Sequence, residues 1–179
     1  KVLGLKGDTL ELGLAGEQRL TLSWKEVVSM AVRSDRQVFL SDLQPVDVVQ
    51  EALVTFVGPW RRDRSVLGNP LTLGKTVSEK GLGVHARCLL SYECPADFNL
   101  FLASIGIDAE TEGKGDCIFQ VLGDGKELYS RRMRAADKPE SVRLPLAGIK
   151  RLTLAVEPGE DLDLADHADW CGARFVREK

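Results

Sequence analysis

The sequence is short of the residues from which catalytic metal sites are built. It has two histidines, His85 and His167, and four cysteines that never occur as C-x-x-C. Because zinc sites draw on closely spaced Cys and His, a zinc centre is not expected. We expect the scattered cysteines to be small buried side chains. A bridge between Cys88 and Cys94 stays open only if a hairpin brings the two together.

Long apolar runs and a large excess of one charge are also missing. No apolar stretch approaches the roughly 20 residues that a membrane helix needs. The 24 basic and 27 acidic side chains leave a formal net charge of −3, which gives no general attraction to nucleic acid or to an anionic membrane. The basic run at residues 129–138 is interpreted as a solvated face of a strand. We therefore predict neither nucleic-acid partners nor membrane insertion.

Helical periodicity is nearly absent, and short strands with frequent turns take its place. Alternating apolar residues predict a small meander over residues 1–35, with these residues on its strands: Leu10, Leu12, Leu14, Leu20, Leu22, Trp24, Val28, Met30 and Val32. From residue 36 onward, the strand signals include a long apolar run at 98–108 and a hairpin turn at Asp124–Gly125. Residues 38–43 also have a strand-like pattern. This pattern predicts an antiparallel β-sandwich.

The stretch "KGLGVHA" contains Gly81-x-Gly83-x-x-Ala86, which matches one form of the dinucleotide-binding sequence pattern. Such a loop needs a buried strand before it and a helix after it. The preceding residues 75–80 are too polar for a central strand, and Pro95 ends the short segment that follows. The spacing therefore does not indicate a nucleotide site.

Several phrases, in order and spacing, resemble the NPCBM family of carbohydrate-binding modules over residues 36–178. They are "WRRDRSVLGNPLTLG", "EKGLGVHARCLLSYEC", "FLASIGIDAETEGKGDCIFQVLGDGKELYSRRM", "GIKRLTLAVEPG" and "DHADWCGARF". The resemblance implies a jelly-roll sandwich of the galactose-binding-like type over 36–179, preceded by the meander of 1–35. It also implies glycan binding, and attachment to glycoside hydrolases. In this family "GxGxHA" is where a loop enters a strand, which places His85 pointing into the structure beside "DHADW".

Sugar binding needs planar polar partners and an aromatic face, and two segments supply both. The predicted ligand-binding residues are Trp60, Arg61 and Asp63 in the first segment, His85, and Asp166, His167, Asp169 and Trp170 in the second. Each has a structural alternative. Trp60 and Trp170 would also suit core positions with their indole N–H groups bonded. His85 would also suit a buried site, bonded to Asp166 or Asp169.

The acidic run "DLDLADHADW" raises two further alternatives. An EF-hand loop starting at Asp161 fails, because its fifth position is Ala165 and its sixth is Asp166 rather than glycine. A non-EF-hand structural calcium stays open, and no other cofactor is expected. A glycosidase needs two carboxyls across a cleft, but no spacing indicates such a pair, and no G-x-S-x-G elbow occurs. We therefore predict that this chain is not an enzyme.

These observations predict a non-catalytic carbohydrate-binding module of a larger, exported, bacterial-type protein, which it holds at glycan substrates. The chain begins at Lys1 rather than Met, which is typical of a piece of a longer protein, so the lack of a signal peptide says nothing about export. An extracellular or periplasmic location is expected, with a glycan and other domains of the full chain as partners. The alternative is a protein–protein or scaffold module that keeps the fold without a sugar site.

Overall fold

A computed structural model describes residues 2–27, 34–54 and 58–178. The chain divides into two compact units, Lys1–Arg33 and Ser34–Lys179. Within the described residues, no helix is long and apolar enough to cross a membrane. The part of the predicted meander at Val28, Met30 and Val32 lies outside the described residues.

The first unit contains a three-stranded antiparallel sheet in the order β1-β2-β3. Its strands are β1 (Val2–Lys6), β2 (Thr9–Gly13) and β3 (Arg19–Ser23), with 3₁₀ turns at Ala15–Glu17 and Trp24–Glu26. The predicted alternation places Leu10 opposite Leu22 across β2 and β3. The predicted β-meander is confirmed, although Leu14 and Trp24 lie just outside its strands.

The second unit is built from thirteen described strands and two 3₁₀ turns, Leu40–Asp42 and Ala109–Thr111. The strands are β4 (Gln37–Phe39), β5 (Asp47–Gln50), β6 (Arg61–Arg62), β7 (Leu71–Leu73), β8 (Thr76–Ser78), β9 (Gly81–His85), β10 (Cys88–Glu93), β11 (Leu100–Ile107), β12 (Asp116–Gly123), β13 (Lys126–Arg134), β14 (Glu140–Pro145), β15 (Arg151–Pro158) and β16 (His167–Val176).

Two antiparallel sheets form the sandwich. One has the order β13-β12-β15-β10-β5, and the other β14-β11-β16-β9-β6, with β4 pairing to the far end of β16. The predicted all-β sandwich is therefore confirmed. The predicted hairpin joins β12 to β13. Asp124 and Gly125 both have positive φ, as a two-residue type I′ turn requires. The strand predicted at 38–43 is shorter than expected, because the chain turns at Leu40 and buries that side chain.

The core lies between the two sheets. Phe119 of one sheet meets Trp170 of the other edge to face, with ring centroids 5.1 Å apart. Alternate residues of β9 and β16, among them Leu82, Val84 and Ala168, also point into this core. The four cysteines are free thiols. Cys88 opens β10 and Cys94 follows its last residue, so an extended strand separates them by roughly 20 Å. A bridge between them is therefore ruled out in this fold.

The outer face of the sheet that contains β9 is covered by the chain between β6 and β9. The β7–β8 hairpin packs Leu71 and Leu73 against Cys171, and the loop before it crosses β9. A Cβ atom at Gly83 would lie 2.6 Å from the Cα of Ser65 and closer still to the carbonyl oxygen of Arg64. Gly83, the second glycine of the "KGLGVHA" stretch, therefore allows the covering loop to contact the strand backbone.

Gly83→Ala should lower the free energy of unfolding by about 1–3 kcal/mol, because backbone atoms must move to admit the methyl group. Denaturant unfolding of the purified chain measures this change. Gly58→Ala is the matched control, since its Cβ would make ordinary contact, 3.5 Å from the carbonyl oxygen of Val66, and its stability should change by less than about 1 kcal/mol. An equal loss of unfolding free energy in both variants would contradict the close approach of the covering loop to Gly83.

Candidate functional site

Two histidines lie side by side at one end of the sandwich. β9 ends at His85 and β16 begins at His167, and the antiparallel register pairs these two residues directly. Their ring centroids are 5.6 Å apart and the rings are tilted by 59°. Strand pairing therefore brings together two polar rings that are 82 residues apart in the sequence.

The His85 ring is almost completely buried, with 3% of the residue exposed. Its Nδ1 donates to the carbonyl oxygen of Ala86 at 2.6 Å, which fixes the ring orientation and the tautomer. Burial lowers the pKa of His85 below its ordinary value, and the neighbouring His167 lowers it further. His85 is therefore a neutral imidazole at physiological pH.

The His167 ring is oriented by Glu110, whose Oε1 is 2.9 Å from its Nδ1. Glu110 also accepts from the hydroxyl of Ser65 at 2.5 Å and the amide of Asn69 at 3.0 Å. Burial acts to raise the pKa of Glu110, but these hydrogen bonds hold it below its ordinary value. Within the described part of the chain, the Nε2 atom of His167 has no hydrogen-bond partner, and the residue is partly exposed.

Glu110 is absent from the predicted site, yet it connects three segments. Asp108 directly follows β11 and caps the next turn, accepting from the backbone N–H of Glu110 at 2.8 Å and of Thr72 at 2.9 Å. That cap sets the position of Glu110 beneath the covering loop. The available sequence signal is an acidic "DAE" directly after a long buried strand, a place where side chains gather at a sheet end.

Asp169, a predicted ligand-binding residue, lies inside the protein with 1% of its surface exposed. It faces outward from β16 but lies under the β7–β8 hairpin, beside Asp108. Burial raises the pKa of Asp169 well above its ordinary value, and a side-chain hydrogen bond with Asp108 raises it further. Asp169 is therefore a structural residue and not a surface contact.

Asp166 and Trp170 are also buried, each with 0% exposed. Trp170 points into the core against Phe119, so the structural alternative for it is the one observed. Asp166 accepts from the backbone N–H of Asp116 at 2.8 Å. Strand alternation and the loop before β16 turn both side chains inward, so neither is exposed at the surface, where the sequence predicts a ligand contact. Of the "DHADW" stretch, His167 alone combines partial exposure with an unused ring nitrogen.

The first predicted segment lies along β6, at the edge of the sheet, where Arg61 pairs with Gly83. Trp60 is half-buried against the core, and the guanidinium of Arg62 lies 5.2 Å from its ring centroid. Asp63 accepts from Lys80 at 2.8 Å and from the N–H of Gly81 at 3.1 Å. Burial acts to raise the pKa of Asp63, but the hydrogen bond from Lys80 and others hold it below its ordinary value. Asp63 therefore anchors the loop to β9.

Asp163 and Asp166, two of the acidic residues before β16, accept hydrogen bonds from backbone N–H groups. Asp163 accepts from the backbone N–H groups of Leu53 and Val54, the first at 2.8 Å. Among the described residues, no three His, Cys, Asp or Glu side chains converge closely enough to hold a metal ion. The carboxylates considered for a structural calcium therefore do not form a ligand set by themselves.

Asp166→Asn should flatten the dependence of stability on pH. Burial raises the pKa of Asp166 to about 7, helped by the nearby charges of Asp161, Asp116 and Asp163. From about pH 4 to about pH 7, the folded state keeps a proton that the unfolded chain releases, so the free energy of unfolding falls as pH rises. Asparagine retains the acceptor for the Asp116 N–H but does not titrate.

Denaturant unfolding at pH 4, 5.5 and 7 measures this effect. Relative to the wild type, the variant should gain stability steadily from pH 4 to pH 7. Asp47→Asn, at an exposed position on β5, is the control and should keep the wild-type dependence. A constant difference between Asp166→Asn and wild type across this range would show that Asp166 is ionised in the folded protein.

Comparison with known proteins places these features in a family. Residues 36–176 match the NPCBM/NEW2 domain, which confirms the resemblance predicted from the sequence. A segment of 110 residues, 61% of this chain, is 36% identical to a Renibacterium salmoninarum protein named "Putative endo-alpha-N-acetylgalactosaminidase". The chain spans 7% of the length of that relative.

Solved structures with the same fold are modules named CBM51. The module from Clostridium perfringens GH95, in complex with methyl-galactose, is 28% identical, with a TM-score of 0.72 over 78% of this chain and 99% of that one. The M60 catalytic domain with CBM51-1 and CBM51-2 of C. perfringens ZmpB is 25% identical, with a TM-score of 0.73 over 96% of this chain and 18% of that one. Tandem CBM51 modules of a Streptococcus pneumoniae family 98 glycoside hydrolase also share the fold. They are 21% identical, with a TM-score of 0.68 over 89% of this chain and 53% of that one. The chain therefore belongs to the NPCBM/NEW2 domain family.

Proposed function

We propose that this module binds a galacto-configured sugar at the histidine pair, with His167 as the contact, and without catalysis. The observation that carries the proposal is the pair of imidazoles at the sandwich end, each oriented through Nδ1. The His167 imidazole, held in this way, offers its second nitrogen to a hydroxyl group at a fixed angle. The His167 side chain is partly exposed, and its Nε2 atom, without a partner among the described residues, is the contact that a sugar hydroxyl would take.

Two of the comparisons support the choice of sugar. The CBM51 module at 28% identity is in complex with methyl-galactose. The R. salmoninarum relative is named for action on N-acetylgalactosamine linkages. Both sugars have the galacto configuration, in which the axial 4-hydroxyl differs from that of glucose. Oriented hydrogen-bonding groups are the means by which a protein separates such isomers.

The carboxylates near this end of the sandwich support binding rather than hydrolysis. Asp108, Asp166 and Asp169 are buried, and Glu110 is hydrogen bonded to three other side chains. A glycosidase needs two carboxyls that both reach the bond to be cleaved, and the described residues offer no such pair at this end. The module then acts by concentrating an attached, extracellular enzyme at its glycan.

His167→Asn should weaken galactose binding by roughly tenfold, because one directional hydrogen bond is lost. The asparagine amide can still donate to Glu110 from the position of Nδ1, so the fold and the covering loop should be retained. Isothermal titration with methyl-galactose and with N-acetylgalactosamine measures the affinity. A glycan array of galactose-, fucose-, glucose- and uronate-bearing glycans tests the specificity.

Asp47→Asn is the control and should bind as the wild type does. Equal affinities in wild type and folded His167→Asn would place the sugar elsewhere. If the wild type binds no glycan on the array, the scaffold alternative is favoured. Binding that is lost in EDTA but retained in His167→Asn would identify a calcium-dependent site instead of the histidine pair.

A further inference from the structure

Three arginines line a shallow groove at the edge of the sheet that contains β6. The groove has a volume of about 450 Å³ and is lined by Gln44, Trp60, Arg61, Arg62 and Arg64. These five residues are called the arginine groove below. All three arginines are exposed, and Trp60 is half-buried beneath them.

Each of the three guanidinium groups is held by a neutral acceptor. Arg61 Nε donates to the carbonyl oxygen of Val66 at 2.9 Å, Arg62 donates to the side-chain oxygen of Gln44 at 2.6 Å, and Arg64 donates to the carbonyl oxygen of Asp63 at 3.0 Å. Neutral acceptors orient a guanidinium without cancelling its charge. Every group also keeps further N–H donors, since a guanidinium carries five.

No carboxylate of the described residues forms an ion pair with these arginines. Asp63, which lies between Arg62 and Arg64 in the sequence, and Asp42, which lies two residues before Gln44, both pair with Lys80, at 2.8 and 2.5 Å. Elsewhere in the module arginines are paired: Arg131 with Glu140 and Arg143 with Glu178. The arginine groove is therefore a site of uncompensated positive charge in a protein whose net charge is −3.

Trp60 adds a flat apolar surface to this charge. Its ring packs on the core, and Arg62 lies over it at 5.2 Å. Stacking on an indole limits the rotation of a guanidinium, so less entropy is lost when its N–H groups bind an anion. The guanidinium donors can then meet the anionic group of a sugar that lies in the groove.

We propose that the arginine groove binds the anionic group of an acidic glycan, either a sulfate ester or a sugar carboxylate. Planar guanidinium groups match both anions in bidentate geometry. The glycan part of this inference rests on the carbohydrate-binding function proposed above. The anion part rests on the charges and contacts of the groove and does not involve His85 or His167.

Titration with galactose and with galactose 6-sulfate tests the proposal directly. The wild type should bind galactose 6-sulfate about tenfold more tightly than galactose, with a preference that shrinks as sodium chloride is raised. Glucuronate and sodium sulfate are titrated in parallel. A gain for glucuronate assigns the groove to sugar carboxylates, and binding of sodium sulfate assigns it to the sulfate group itself. Equal affinity for galactose and its 6-sulfate, with no binding of glucuronate or sodium sulfate, would overturn the proposal.

The double variant Arg62→Gln/Arg64→Gln should abolish the preference for the anionic probes. Its control, Arg131→Gln/Arg143→Gln, removes the same charge from arginines that are already paired, and should keep the preference. Loss of the preference to the same extent in both double variants would show a general charge effect and would also overturn the proposal. Circular dichroism checks that both variants are folded.

The two proposals fail in distinguishable ways. His167→Asn should weaken galactose and galactose 6-sulfate alike and leave their ratio unchanged, whereas the Arg62/Arg64 variant should change the ratio and leave galactose binding intact. In one outcome, galactose does not bind, glucuronate or sodium sulfate binds, and the Arg62/Arg64 variant loses that anion binding. This outcome would support the arginine groove as an anion site and contradict the histidine site.

Discussion

The close contact between the covering loop and the backbone of β9 at Gly83 determines where the polar groups at the sandwich end lie. Because a side chain there would collide with Ser65, a bare backbone is what allows the loop to cross the strand. The same loop brings Ser65 and Asn69 onto Glu110, and Glu110 in turn orients His167. The geometry of the candidate sugar site therefore depends on a steric condition that is met by one glycine.

A second constraint is electrostatic. Three aspartates, Asp108, Asp166 and Asp169, are buried near this end of the sandwich, where an ionised carboxylate without partners would be costly. They are accommodated by backbone donors to Asp108 and Asp166 and by raised pKa values at Asp166 and Asp169, rather than by cations. The excess of positive charge is left at the arginine groove, whose three arginines have no carboxylate partner among the described residues.

Local sequence patterns were sufficient for the fold and insufficient for the site. The Asp124–Gly125 turn and the apolar strand β11 depend on neighbouring residues, and both were predictable. The sequence groups Asp166, His167, Asp169 and Trp170 as one ligand-binding cluster. Alternation along β16 sends Trp170 to the core, and a hairpin distant in the sequence covers Asp169. Glu110 was missed for a related reason. Its partners Ser65 and His167 lie 45 and 57 residues away, so only the folded chain shows that they meet.

The two proposed contacts are complementary in chemistry and do not share a side chain. Protein sites for single sugars are weak, because each neutral hydrogen bond contributes roughly 1 kcal/mol after desolvation. A glycan that presents a galacto-configured residue to the histidine pair and an anion to the arginine groove gains from both, since the second contact forms at the high effective concentration set by the first. Selectivity for such a glycan then arises from joining two modest contacts, and each contact alone needs no more than the few oriented donors that the structure provides.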